Sequence, residues 1–245
     1  MTYEAREFAR VRYSVLLLTA ATWVLLIAQP HGMAGHAHLH AGNSVAVQVH
    51  AAGWALMLVA MMAPLLIPSI QYVRQRSFKH RRARAVALFV AGYGALWMAA
   101  GAVVLAIETT VKLLAPMSFL PAAGVALIAV VWQFSPIKQR ALNHCHLHTE
   151  LAAFGATADL ALLRFGLTHG VWCVVSCWAL MLFPMLLPSG RVAAMAAVAF
   201  LVFTERLDRP MPPSWRFRGL ASVKRMVVAR ARRRLQNRLL LEHQK

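Results

Sequence analysis

The chain has 245 residues, 60% apolar and only 14% charged, with a net charge of +18. That balance excludes both a disordered chain and an ordinary soluble domain. The surplus of Lys and Arg would suit a nucleic-acid binder, but residues 13–73 hold no Asp, Glu, Lys or Arg at all, a run too long and too apolar for a soluble core element. No nucleic-acid partner is expected.

A helix that crosses a bilayer needs about 20 mostly apolar residues. In chain order, such stretches fall at 11–28, 45–70, 85–107, 113–134, 160–187 and 191–204, the last being short. The expected fold is therefore all-α, a polytopic membrane helical bundle of about six transmembrane helices. The first stretch is followed by a Gly/His-rich loop and by no A-x-A-like cleavage site, so it reads as a retained span rather than a signal peptide.

Lys and Arg collect on cytoplasmic segments, which gives a second test of the span count. Six spans place 24 of the 26 basic residues on one side and leave only Lys112 and Arg191 on the other. Both termini are then cytoplasmic, and the expected location is the bacterial inner (cell) membrane. Five spans would put the twelve basic residues after Thr204 outside. The chain divides into a single transmembrane helical domain, 1–204, and a basic cytoplasmic tail, 205–245. In the tail, Leu220, Val223, Met226, Val227, Leu235 and Leu239 fall near one helical face and Arg and Lys fill the other. That pattern predicts a basic amphipathic C-terminal helix lying on anionic lipid headgroups.

No internal repeat, Walker loop, dinucleotide fingerprint, HExxH motif or Ser/His/acid grouping is present, so nothing points to a catalytic site. Three cysteines cannot build a disulfide framework, and in an apolar chain they point to buried thiols, a soft metal site or redox chemistry. Two of them stand in the fifth span, where His169, Cys173, Cys177 and Met181 recur at four-residue steps. Such steps stack side chains on one helix face. A stripe of thiols and a thioether selects a soft ion such as Cu(I), whereas zinc favours thiolate with imidazole. The competing reading is plain packing, because Cys and Met are common core residues.

The second span carries His50, Met57 and Met61 on one broad face. With opposite chain directions, Met57 lies roughly 18 Å and Cys177 roughly 15 Å below the outer ends of their spans. If the two helices meet, these residues form a sulfur-rich site near mid-membrane, and Pro64 would kink the second span or free a backbone carbonyl beside it. Two further clusters lie outside the spans. His31, Met33, His36, His38 and His40 form an external loop tract suited to collecting metal, and His144, Cys145, His146 and His148 form a cytoplasmic one whose spacing fits no standard zinc module.

Three sequence blocks stand in order: Gly53-Trp54-Ala-Leu-Met57-Leu-Val-Ala-Met61-Met62-Ala-Pro64, then Ser135-Pro136-Ile-Lys138, then Cys173-Val-Val-Ser-Cys177-Trp178-Ala-Leu-Met181. Over residues 45–205 the chain resembles an uncharacterised bacterial family of predicted metal-binding integral membrane proteins, whose blocks read GWxxMxxAMMxP, SPxKxxCLxxC and CxxCCWxLM. The resemblance implies metal binding and no reaction, with Met57, Met61, Met62, Cys145, Cys173, Cys177 and Met181 at matching positions. Ala141 and Ser176 stand where that family has two further cysteines.

The sequence thus favours a multi-pass protein that holds or passes a soft metal, with copper as the expected ion and zinc as the alternative. Its partners would be the lipid bilayer and a metalloprotein recipient. Three other readings compete: a membrane thiol oxidoreductase using Cys173 and Cys177, a haem protein ligated by His50 and His169, and a non-catalytic membrane scaffold or assembly factor. The first lacks the exposed CxxC such enzymes use. The second requires a shared depth that His50 and His169 do not have.

Overall fold

A computed structural model describes residues 3–28, 43–115, 118–147, 149–152, 155–219 and 228. Its regular elements are helical: α1 (Tyr3–Ala28), α2 (Asn43–Met62), α3 (Ile67–Arg76), α4 (Arg82–Leu114), α5 (Leu120–Phe134), α6 (Pro136–His144), α7 (Gly155–Leu186) and α8 (Arg191–Leu207). No strand occurs among the described residues. The all-α expectation is met.

Proline sets the breaks. Pro64 opens a 3-10 turn, Ala63–Leu66, that ends α2 before the chain resumes as α3. A ring nitrogen has no proton to give the helix ladder, so the first turn of a new helix is where proline costs least. Ser135 caps α6 by accepting the Ile137 backbone N–H, with Pro136 at the first helical position, and the axis turns by 69° between α5 and α6.

Four stretches are long and apolar enough to cross a membrane: 6–28, 48–76, 79–114 and 155–186. The bent pair α5–α6 would make a fifth if taken as one broken span. The fourth expected span began too early, because α4 runs on to Leu114 and α5 starts only at Leu120, with Pro121 in its first turn. At 15 residues α5 is about 22 Å long, and α8 at 17 residues is about 25 Å, against a hydrocarbon core of about 30 Å.

The central pair is α4 with α7, the most extensive helix contact in the bundle. Two glycines allow it. A Cβ at Gly92 would meet the Leu163 carbonyl oxygen at 2.5 Å, and one at Gly166 would run into the Phe89 carbonyl oxygen. Small residues at a crossing let two backbones approach closely, and here each glycine faces main chain. α2 packs on α1, α4 and α8, while α7 packs on α4, α5, α6 and α8.

Indole N–H groups tie these helices together. Trp23 donates to the Ala60 carbonyl at 3.1 Å, Trp54 to that of Trp97 at 3.0 Å, and Trp132 to that of Val175 at 3.0 Å. Ion pairs fix which helix ends lie together. Arg82 meets Glu7 at 2.6 Å, and Arg81 and Arg84 both meet Asp159, so the starts of α1, α4 and α7 share one end. At the opposite end, buried Glu108 of α4 faces Lys112 at 2.6 Å and Arg191 of α8 at 3.5 Å.

After α8 the chain folds back over α6. Asn143 binds the Met211 carbonyl, Gln139 that of Arg216, and Arg218 reaches the Asp208 and Arg209 carbonyls and Asn143. Burial lowers the pKa of the Arg218 guanidinium, with the nearby Asp208 charge acting in the opposite sense. The amphipathic helix expected from Leu220 to Leu239 lies, Val228 aside, outside the described residues.

Candidate metal centre

The stripe expected on the fifth span faces inward. On α7, His169, Cys173, Cys177 and Met181 are all buried, the two thiols and the thioether each about 1% exposed. Neither cysteine is in a disulfide. Four residues of α-helix separate the thiols, which puts their Cβ atoms about 5–6 Å apart, a span one ion can bridge. The Cys177 thiol donates to the Cys173 carbonyl at 3.0 Å.

The methionines of α2 belong to the same core. Met57, Met61 and Met62 are 1–3% exposed and share one contiguous buried cluster with Cys173, Cys177, Met181 and Met185. The two helices do not form an extensive direct pair; both lean on α4 and α8 instead. The sulfur-bearing side chains are thus buried inside the bundle rather than turned outward, and Trp54, Trp97 and Tyr93 belong to the same cluster.

Polar groups missing from the sequence reading converge on Cys173. The Tyr93 hydroxyl and the Cys173 sulfur lie 3.2 Å apart. Arg206, one residue from the end of α8, points its Nη2 at the same sulfur, also at 3.2 Å. The indole N–H of Trp97, in the same cluster, is buried without a hydrogen-bond partner. Beside Arg206 in sequence, Glu205 pairs at 2.8 Å with Lys138 of the Ser-Pro-Ile-Lys block, which is 1% exposed, and Gln133 bonds to both.

Basic residues near a membrane surface are ordinarily read as topology markers, which is why Lys138 and Arg206 went unrecognised. The available signal was Glu205, an acidic residue set beside Arg206 in a strongly basic segment.

Cys145 caps α6 and is buried. Burial pushes its thiol up to about 11, against the opposing pull of the Arg206 guanidinium.

The contacts seen for His169, His144 and His146 are with rings and carbonyls. His169 is enclosed by the rings of Phe89, Phe165 and Tyr93, each with centroids 6.0 Å away. His144 is exposed and stacks on Trp172 at 4.1 Å. Both ring nitrogens of His146 lie on carbonyls, Leu142 at 2.9 Å and Arg206 at 3.1 Å. His50 is half-buried near the start of α2, about 10 Å along the axis from Met57. His148 and the loop tract His31, Met33, His36, His38 and His40 lie outside the described residues.

Among the described residues no group of three or more His, Cys, Asp or Glu side chains is poised around one point. A structural zinc site uses four such nitrogen and sulfur ligands. What the core does offer, two adjacent thiols with methionine thioethers in the same cluster, is the soft, low-coordinate donor set that suits Cu(I).

Residues 51–228 match a family described as a copper chaperone, PpoB2. The match covers well over half of the chain, and the chain belongs to that family. It supports a copper-related function and includes every cysteine as well as Met57, Met61, Met62 and Met181. No curated protein and no solved structure matches.

Proposed function

We propose that this chain is a multi-pass protein of the cell membrane that takes Cu(I) as cargo on Cys173 and Cys177 and passes it to a copper-requiring partner. The observation that carries the reading is the buried pair of free thiols on α7, set in one core with the methionines of α2, in a chain of the copper chaperone family. Thioethers of Met57, Met61 and Met181 complete the coordination, and Met62 lies beside them. Cys145 serves as a further thiol on the α6 side. His50, His144, His146, His148 and His169 are secondary candidates, of which His146 would first have to give up a carbonyl contact.

The membrane reading rests on four long apolar helices and the one-sided basic charge. Six crossings with both termini in the cytoplasm fit that charge, with α8 and the α5–α6 pair as the two short or bent crossings. The tail after 204 would then meet anionic headgroups.

The test is copper loading of the purified full chain in detergent under reducing conditions. The wild type is expected to retain stoichiometric Cu(I) against a competing chelator, and Cys173→Ser/Cys177→Ser to lose it. Equal loading of the two proteins would end the proposal.

A further inference from the structure

The sulfur core is bordered by charges whose sum is uneven. At this end of the bundle the buried ionic groups are Lys138, Glu205, Asp208 and Arg218, and Arg206 is half-buried with its Nε fully enclosed. Lys138 and Glu205 cancel each other at 2.8 Å. Arg218 and Asp208 lie close enough for their charges to interact, and Asp208 is held by the Gly219 N–H at 2.7 Å. Arg206 is left over. Among the described residues no carboxylate comes within ion-pair distance of it, its Nε is buried without a hydrogen-bond partner, and its Nη2 is directed at the Cys173 sulfur.

A guanidinium keeps its proton under all ordinary conditions, so the site carries a fixed positive charge that only sulfur is placed to balance. Two thiolates around a monovalent ion make a complex of net charge −1. Around a divalent ion they make a neutral one. Only the first leaves the enclosure neutral once Arg206 is counted, and an uncompensated charge away from water is strongly disfavoured. Resting on the Cu(I) reading above, the geometry points to Arg206 as the residue that makes the Cys173/Cys177 site selective for a monovalent soft cation over a divalent one. Arg206 is not a ligand; it holds the Cys173 sulfur by a hydrogen bond and sets the charge the complex must carry, in the way outer groups tune metal sites generally.

Softness and charge are separated by comparing Ag+ with Cd2+, both thiophilic, on the full chain in detergent. Affinities are measured by competition and normalised to a free dithiol under the same conditions. The wild type should favour Ag+ over Cd2+ more strongly than the dithiol does. Arg206→Gln, which keeps a hydrogen-bond donor and removes the charge, should reduce that extra preference by about tenfold or more, and Arg206→Lys should retain most of it. A variant that merely loosened packing would weaken both ions alike and leave the ratio unchanged, and an unchanged ratio in Arg206→Gln overturns the inference.

Should Arg206→Gln fail to fold, the wild-type comparison decides: a normalised preference no greater than the dithiol's overturns the assignment. Failure of the wild type to bind either ion through Cys173 and Cys177 would sink the copper reading itself. Thiol-dependent binding that is indifferent to ion charge would sink only the role of Arg206.

Discussion

Cys145 and Cys173 share a guanidinium yet sit in different settings. Cys173 lies among hydrogen-bond partners, the Tyr93 hydroxyl and Arg206, whereas for Cys145 burial is the dominant effect. With its thiol pushed up to about 11, Cys145 holds its proton at neutral pH and must release it before it can bind a metal. The folded thiol titrates above its ordinary value near 9, so its contribution to stability is complete below pH 9 and disappears as pH rises from 9 to 11. A two-unit gap corresponds to about 2–3 kcal/mol. The wild type should therefore lose thermal stability across that window, and Cys145→Ala should flatten the loss. An unaltered profile in the variant would show that another group is responsible.

The stripe on α7 was legible because four-residue periodicity on a helix leaves no freedom as to which side chains align. That it would face inward was not legible, since a uniformly apolar helix gives no preferred buried face. Trp54, Gly53 and Pro64 could be read only as a block, and the reason for Trp54 emerged with its partner: its indole fills the space over Gly101 and binds the Trp97 carbonyl.

Among the elements, the short helix α6 most changes the reading. In the sequence Ser135-Pro136-Ile-Lys138 reads only as a block, and Lys138 as one of the basic residues on the cytoplasmic side. The 69° bend instead carries Lys138 inward to Glu205 at the end of α8. Neither partner can be found from sequence spacing, because the two are 67 residues apart and joined only through the tertiary arrangement.

Removing one member of an enclosed ion pair strands the other, at a typical cost of 3–5 kcal/mol, whereas replacing both with apolar residues is often near neutral. Lys138→Met and Glu205→Leu should each lower the midpoint of thermal unfolding in detergent well below that of the double variant. Additive losses in the double variant would mean that the pair is not coupled. The α4–α7 crossing makes a similar demand at Gly166, where any Cβ meets the Phe89 backbone. Gly166→Ala is expected to destabilise by about 1–3 kcal/mol, read as a lower unfolding midpoint, and an unchanged midpoint would show that the crossing can relax.

For the molecule as a whole, charge and sulfur divide the work. Cations cluster at the end where α1, α4 and α7 begin, and at the far end Glu108, Lys112 and Arg191 close the bundle with a small network of their own. The positive-inside argument assigns that far end to the outer side of the membrane. Single cysteines introduced at Lys112 and Arg191 in a cysteine-free background should label with a membrane-impermeant maleimide in intact cells, while one introduced at Arg76 should not. Labelling at Arg76 in intact cells would reverse the orientation.

The number of crossings was less legible than the fold class. Hydropathy marks apolar length and already shows the last span, α8, to be short, but it does not reveal that α5 is too short to cross unaided at the average thickness or that it joins a bent partner. The segment from 208 to 219 is a similar case, since its basic composition gave no sign that Arg218 is buried against Asn143.

The account turns on sulfur in the bundle interior gripping copper. The most direct measurement is the copper K-edge X-ray absorption spectrum of the full chain loaded with one equivalent of Cu(I). It should show a low-coordinate Cu(I) shell made of sulfur alone, lost in Cys173→Ser/Cys177→Ser. A first shell dominated by nitrogen or oxygen, or a sulfur shell unchanged in the double variant, would contradict it.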